Sequence, residues 1–299
     1  MTVTVTHPER VLFPDAGITK GDLVAYYEKV ADAIVPHLEG RPLTMQRYHG
    51  PVTGEGFFQK SASDHFPPFV ERATVPKGGK GTITHPVVAS PDALVYLANQ
   101  GMVTAHVWLA RADRPLHPDR LVLDLDPSEP DLALLRRAAR AARRAFEEVG
   151  LVPHLAATGS RGFHVTAPLD RSATTEEAHA FAADLATLVA SRDPDELTTA
   201  FSKAERGGRL FLDANRNGYA QTVVAPWSVR ARPGAGVAVP LRWEELGRAV
   251  PDRFTVKTAP RRLATAGDPW ATIDEAARPL APARQALDEL LAESGAGRS

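Results

Sequence analysis

The chain has 299 residues, with 35 Lys plus Arg against 36 Asp plus Glu, 10 His and no Cys. The lack of Cys excludes a disulfide framework, a thiolate zinc site, an iron–sulfur cluster and a cysteine nucleophile. At 43% hydrophobic, 24% charged and net −1, the composition fits neither a disordered chain nor a uniformly basic one. Met1–Arg10 holds no signal-like apolar segment and no run of 18 apolar residues occurs, so a soluble cytoplasmic protein with no membrane partner is expected.

After the opening segment Thr2–Pro14, the turn Pro14-Asp15-Ala16-Gly17 precedes a first helix. Thr19 is its expected N-cap and Asp22, three residues on, completes a capping-box variant. Leu23, Tyr26, Tyr27, Val30, Ile34 and Leu38 form its apolar face, and Gly40 then Pro42 end it. Val52–Lys80 reads as loop, carrying the pair Phe57-Phe58. Ser90, Pro91 and Gly101 bracket a second helix, and Met102–Ala110 reads as a strand.

The centre of the chain alternates between two periods. Leu121–Asp126 is a strand, Ser128 and Asp131 open a helix to about Val149, and Val152–Ala157 is a second strand. The tight turn Gly159-Ser160-Arg161-Gly162 leads into a paired strand, Phe163–Pro168. Thr174 or Thr175 opens a helix to about Ser191, and Leu210–Asp213 is a last strand. The order strand, helix, strand, strand, helix, strand is the split βαβ pattern of a ferredoxin-like, or RRM-like, antiparallel sheet. In it the first and last strands are neighbours. Gln221–Arg232 and Val239–Leu246 read as further strands, and Asp274–Ala292 as an amphipathic helix before the low-complexity tail Glu293–Ser299.

Chemistry concentrates in this centre. Leu121, Leu123 and Leu125 share one strand face, and Val122, Asp124 and Asp126 the other. Two carboxylates about 6.5–7 Å apart at the backbone can converge on a cation. Oxygen-only ligands favour Mg²⁺ or Mn²⁺. Solvated turn residues before Pro127 are the plainer alternative. Asp213 ends a strand that the topology sets beside Asp124 and Asp126. Three carboxylates on adjacent strands suit two metals about 3.5–4 Å apart, the arrangement of phosphoryl transfer.

Gly159 and Gly162 let backbone amides approach a phosphate, and Thr158, Ser160 and Arg161 offer further donors. His164 lies just inside the following strand, on the face opposite Phe163 and Val165. Arg230 and Arg232 are placed on one strand face, suited to a triphosphate or a DNA backbone. Lys203–Arg209 is a basic, glycine-hinged loop. Lys203–Arg262 holds 12 basic and 5 acidic residues, net +7, leaving −8 elsewhere, an asymmetry suggesting one phosphate-attracting face. The Arg136, Arg137, Arg140, Arg143, Arg144 set surrounds its helix and reads as solvated.

Taken in order, Leu-Asp-Leu-Asp-Pro at 123–127, Thr-Gly-Ser-Arg-Gly-Phe-His at 158–164, Phe-Leu-Asp at 211–213 and Ala-Pro-Trp-Ser-Val-Arg-Ala-Arg-Pro-Gly at 225–234 resemble the polymerase domain of bacterial ligase D, of the archaeo-eukaryotic primase superfamily. The resemblance runs from Glu9–Pro14 and Thr19-Lys20 through Gly40–Pro42, Phe57–Lys60 and Gln100–His106 to Pro240–Trp243. It implies an α+β primase-polymerase fold in which a single domain, 1–299, comprises an N-terminal part at 1–110, an RRM-like catalytic part at 111–270 and a C-terminal helix at 271–299.

By the same resemblance Asp124, Asp126 and Asp213 are the catalytic, metal-binding carboxylates for two Mn²⁺ or Mg²⁺ ions. His106, Thr158, Ser160, Arg161, His164 and Arg230 would hold the nucleotide, Arg10 and Lys20 a DNA 5′-phosphate, and Phe57, Phe58 and Arg206 the template and primer. Arg10 and Arg161 sit where many members carry Lys, and Arg216 where some carry Gln.

The implied activity is template-directed polymerisation that fills gaps at double-strand breaks in bacterial end joining, with ribonucleotides preferred. Gapped or broken DNA, NTP or dNTP, a DNA ligase and an end-binding factor are the implied partners, in a nucleoid-associated setting. The length leaves no room for ligase or nuclease domains, so a stand-alone polymerase or one domain of a longer chain is expected. A non-catalytic 5′-phosphate end-binding module and a metal-dependent nuclease are the alternatives.

Overall fold

The computed structural model describes residues 4–294, so Met1–Val3 and all of the low-complexity tail but Glu293 and Ser294 lie outside the described residues. In chain order the elements are β1 (Val11–Phe13), β2 (Ile18–Thr19), α1 (Lys20–Leu38), β3 (Leu43–Tyr48), β4 (Gly56–Gln59), β5 (Glu71–Pro76), β6 (Thr82–Val87), α2 (Pro91–Asn99), β7 (Met102–Val107) and β8 (Arg120–Asp126). They continue with α3 (Leu132–Glu148), β9 (His154–Ala157), β10 (Phe163–Pro168), α4 (Thr175–Ser191), β11 (Leu197–Thr198), α5 (Lys203–Arg206), β12 (Leu210–Asp213), β13 (Val223–Val224), β14 (Val239–Leu241), α6 (Ala259–Ala266) and α7 (Leu280–Ser294).

The main sheet has the order β11-β12-β8-β10-β9-β14. Its middle four strands are the expected split βαβ unit, with β8 between β12 and β10 and antiparallel to both. Leu121, Leu123, Leu125, Phe163 and Val165 are fully buried on one face, against Ala138, Ala142 and Phe146 of α3 and Phe181 and Leu185 of α4. Each large side chain so buried contributes about 1.5–3 kcal/mol. This packing fixes the strand register, because a slip by one residue would turn the leucines out and the aspartates in.

A second sheet, β13-β7-β3-β4, comes mostly from the N-terminal part. Helix α1 starts with the capping box of Thr19 and Asp22, and its apolar face from Leu23 to Leu38 is buried as the pattern requires. Tyr27 donates from Oη to the Val103 carbonyl at 2.7 Å, tying α1 to β7. Ser90, Asp131 and Thr174 cap α2, α3 and α4 through their side chains. Ser128 instead donates to the Arg209 carbonyl.

Several expectations need correction. Val52–Lys80 is not all loop: β4 pairs with the edge of β3, setting Phe57 opposite Arg47 and Phe58 opposite Gln46, and β5 forms a hairpin with β6. β7 stops at Val107 and β9 begins only at His154. Gln221–Arg232 is not a strand but β13 followed by a turn, because Trp227 takes a left-handed φ of 63°. Arg230 and Arg232 therefore do not share a strand face. Val239–Leu246 shortens to β14 and a 3₁₀ turn. Asp274 sits in a separate 3₁₀ turn, and the last helix starts only at Leu280, since Pro279 keeps Arg278 extended against Leu169. Arg136, Arg137 and Arg143 are not simply solvated: they engage the Ala249 carbonyl, Glu196, and Glu147 with the Trp243 ring. Lys203–Arg209 holds the short helix α5 rather than an open loop, and Arg206 is buried.

Just past β12, Asn217 takes the place of a further strand residue. Its Oδ1 accepts from Val122 N at 2.9 Å, and its Nδ2 donates to the Val122 carbonyl at 2.7 Å. Among the described residues no helix is long and apolar enough to cross a membrane.

Candidate active site

Strand pairing assembles the acidic face. Asp124 is opposite Asp213 on β12 and opposite His164 on β10, and Asp126 is opposite Phe211. Directly paired residues share a face, so Asp124, Asp126, Asp213 and His164 all project from the side not covered by α3 and α4. Gly162 permits this arrangement, since a Cβ there would lie 2.0 Å from the Leu125 carbonyl oxygen. At Gly159, with φ of 67°, a Cβ would meet the Val237 carbonyl carbon at 2.5 Å. Thr158 closes the turn by donating from Oγ1 to the Gly162 carbonyl at 2.9 Å, so its hydroxyl serves the loop.

Every oxygen of the three carboxylates has a partner. Asp124 faces His164 Nε2 at 3.6 Å and Arg216 Nε at 3.7 Å. Asp126 faces Arg161 at 3.4 Å and Arg206 at 3.6 Å. Asp213 faces Arg216 Nε at 3.2 Å and accepts from Asn215 N at 2.9 Å. Burial opposes ionisation of Asp124, but His164, helped by Arg216 and Arg230, prevails and holds its carboxyl below the usual carboxylate range. Burial pushes the Arg230 guanidinium down, and Asp124 opposes that shift.

His106, on β7 of the second sheet, joins this group. Burial, then Arg230, Arg216 and His164, push its imidazole down to about 3, so it is neutral rather than a further charge. The exposed Phe58 ring stands edge-on to it, centroids 5.7 Å apart, and Phe57 beside it is also exposed. An open cleft of about 510 Å³ adjoins Arg161, lined by Gly159, Ser160, Arg232, Gly234 and Thr255, a size that suits a small-molecule ligand.

Arg10 and Lys20 have no contact with the acidic trio among the described residues. Lys20 donates from Nζ to the carbonyl and hydroxyl of Thr6, at 2.7 and 2.8 Å, and Arg10 donates to the His49 carbonyl at 2.9 Å. They neighbour each other, for burial and then Arg10 lower the Lys20 ammonium. Arg216 was singled out in the sequence only as a departure from the family pattern. Its position three residues after Asp213, at the end of a strand, was the available signal.

The carboxylates fit a hard divalent cation, being oxygen donors in one register on two neighbouring strands. No three acidic or imidazole side chains among the described residues stand close enough to cage one ion as they are. The arginines supply the positive charge that such a cluster demands.

Three carboxylates on one face of an RRM-like sheet, beneath a cationic rim, define a primase-polymerase type of nucleotidyltransferase. Comparison with known proteins agrees. The family model described as LigD, primase-polymerase domain, matches residues 19–270, and the chain belongs to that family.

The chain is 34% identical over 281 residues to the multifunctional non-homologous end joining DNA repair protein LigD of Mycobacterium tuberculosis, an alignment that covers 91% of the chain and 37% of the relative. It is 29% identical over 268 residues to the bifunctional non-homologous end joining protein LigD of Bacillus subtilis, covering 89% of the chain and 43% of that protein. The chain thus spans less than half the length of these curated relatives. Among solved structures, it matches the polymerase domain from Mycobacterium tuberculosis ligase D in complex with DNA, with TM-score 0.85 and 32% identity, over 93% of this chain and 99% of that one.

Proposed function

We propose that the chain is a template-directed nucleotidyltransferase that adds nucleotides to a primer 3′-hydroxyl and fills gaps at double-strand breaks in bacterial non-homologous end joining. It would work as one unit over 1–299, with 1–110, 111–270 and 271–299 as N-terminal part, catalytic part and C-terminal helix. The observation that carries the proposal is the register match of Asp124 with both Asp213 and His164, under a rim of arginines that borders an open cleft.

Asp124, Asp126 and Asp213 would hold two Mn²⁺ or Mg²⁺ ions, which when bound supply Lewis acidity at the 3′-hydroxyl and at the triphosphate. Arg230, Arg161 and His164 would bind the triphosphate as cations or donors around the cleft. Ser160 lines the same cleft, and Thr158 would shape the turn that presents it. Neutral His106 would donate or accept one hydrogen bond at the nucleotide. Exposed Phe57 and Phe58 would stack on template bases. Arg206 would reach the primer terminus, and Arg10 and Lys20 would grip the 5′-phosphate, Lys20 exchanging its Thr6 contacts for the phosphate. The relatives' names point to non-homologous end joining, and the family resemblance adds a DNA ligase and an end-binding factor as partners and nucleoid-associated action on gapped DNA. Family resemblance favours NTP over dNTP.

The test is primer extension on a short gap carrying a recessed 5′-phosphate, with Mn²⁺ or Mg²⁺ and with NTP or dNTP. Wild type should extend the primer, whereas Asp124→Ala and Asp126→Ala should abolish extension and retain DNA binding. Extension by either variant at the wild-type rate would sink the site assignment. Phosphate-dependent binding without extension would identify an end-binding module. Nucleotide-independent loss of DNA would identify a nuclease.

A further inference from the structure

Among the described residues, the four basic side chains within 4 Å of the acidic trio are held in different ways. His164 is buried and locked by strand register. Arg206 is buried too: it donates to the carbonyls of Ala200 and Phe201 and lies 3.9 Å over the Phe211 ring. Arg161 is exposed and, among the described residues, meets only the outer carboxylate, Asp126.

Arg216 is unlike all three. Its Nε lies between Asp213 and Asp124, at 3.2 and 3.7 Å, and these are its only polar partners among the described residues. Its side chain is 43% exposed, whereas those of Asp213 and Asp124 are 10% and 20% exposed. Its backbone is pinned on both sides, by Asn215 to Asp213 and by Asn217 to Val122. The stem is thus fixed while the guanidinium has open solvent to turn into.

We propose that Arg216 is a resident counter-charge seated between Asp124 and Asp213, and that a divalent cation enters by displacing its guanidinium outward. The inference rests on the metal assignment proposed above and adds to it a residue that sets metal affinity. Two physical requirements lead to it. Nearly buried carboxylates this close together need positive charge when no metal is bound. A divalent ion at the same carboxylates would meet a like charge within about 4 Å if the guanidinium stayed, a repulsion too large to leave affinity unchanged. Removing the charge therefore has two effects of opposite sign. The metal-free protein loses stability, and the metal-binding step gains affinity.

The experiment is a Mn²⁺ titration of the full chain, without DNA or nucleotide, that follows the free-ion electron paramagnetic resonance signal, paired with thermal melts with and without Mn²⁺. Arg216→Gln should bind Mn²⁺ about tenfold more tightly than wild type, the order expected for one partly exposed charge. It should also melt lower without metal and gain more on adding Mn²⁺. Arg216→Lys, which keeps the charge, should stay near wild type in both readouts. Equal or weaker Mn²⁺ binding by Arg216→Gln, with binding still abolished by Asp124→Asn, would overturn the role of Arg216 alone. Wild-type binding by Asp124→Asn would overturn the metal assignment itself, and the inference with it.

Discussion

His106 shows how a single residue couples the site to acidity. Its folded-state pKa of about 3 lies below the ordinary 6.5. The unfolded chain therefore takes up a proton that the native site refuses. The stability this provides is complete above about pH 6.5 and is lost progressively as pH falls towards about 3. His106→Gln should flatten that part of the profile, as urea melts at pH 7.5, 6 and 5 would show. Phe58 tests the ring that stands against His106. It is 60% exposed, so Phe58→Ala should alter folding stability by no more than about 0.5 kcal/mol. It should weaken binding to a gapped template by about 1–3 kcal/mol, the value of one stacked base, measured by fluorescence anisotropy. The sequence singled out both residues through the family motifs. It left Arg216 without a role, because the partners of a long cation depend on where a turn places it.

Local order governs the elements. Thr19, Ser90, Asp131 and Thr174 cap their helices as expected, since a cap is decided within four residues. The split βαβ unit was legible for a related reason: its strands alternate cleanly and its helices begin with caps. Two of the features that escaped show why. β11 joins the sheet parallel to β12 through only two residues, too short to carry a period. The 221–241 stretch keeps only the short β13 and β14 of its expected strands, because its course is set by two distant sheets and by the turn at Trp227. The join between β8 and β10 gives the sharpest test at this scale. Gly162→Ala should destabilise the fold by about 2 kcal/mol or more, because its Cβ can be relieved only by moving a backbone carbonyl. Extension should fall more steeply than stability, as Asp124 shifts with the strand.

At the scale of the molecule, a buried ion network joins the two halves. Arg41, between α1 and β3, grips Asp119 with two hydrogen bonds of 2.7 Å, and Arg111 adds a third at 2.9 Å. Burial works against the Asp119 charge, but Arg41 and Arg120 hold its carboxyl far below the usual range. Removing one partner strands the other, so Arg41→Met should cost about 3–5 kcal/mol in denaturant melts. No sequence pattern marks a pair 78 residues apart.

The stretch that defeated strand prediction has its own consequence. Val224 pairs with His106 in one sheet, and Pro240, 16 residues on, pairs with Ala156 in the other. Between them Trp227 N donates to the Ala238 carbonyl, and Tyr26 donates from α1 to the Trp227 carbonyl. One strap is thus stitched into both sheets, so their spacing behaves as a caliper locked at one setting. On the proposed function, an incoming nucleotide seated between the sheets would be selected by fit to a preset width, with side chains rather than whole sheets left to adjust.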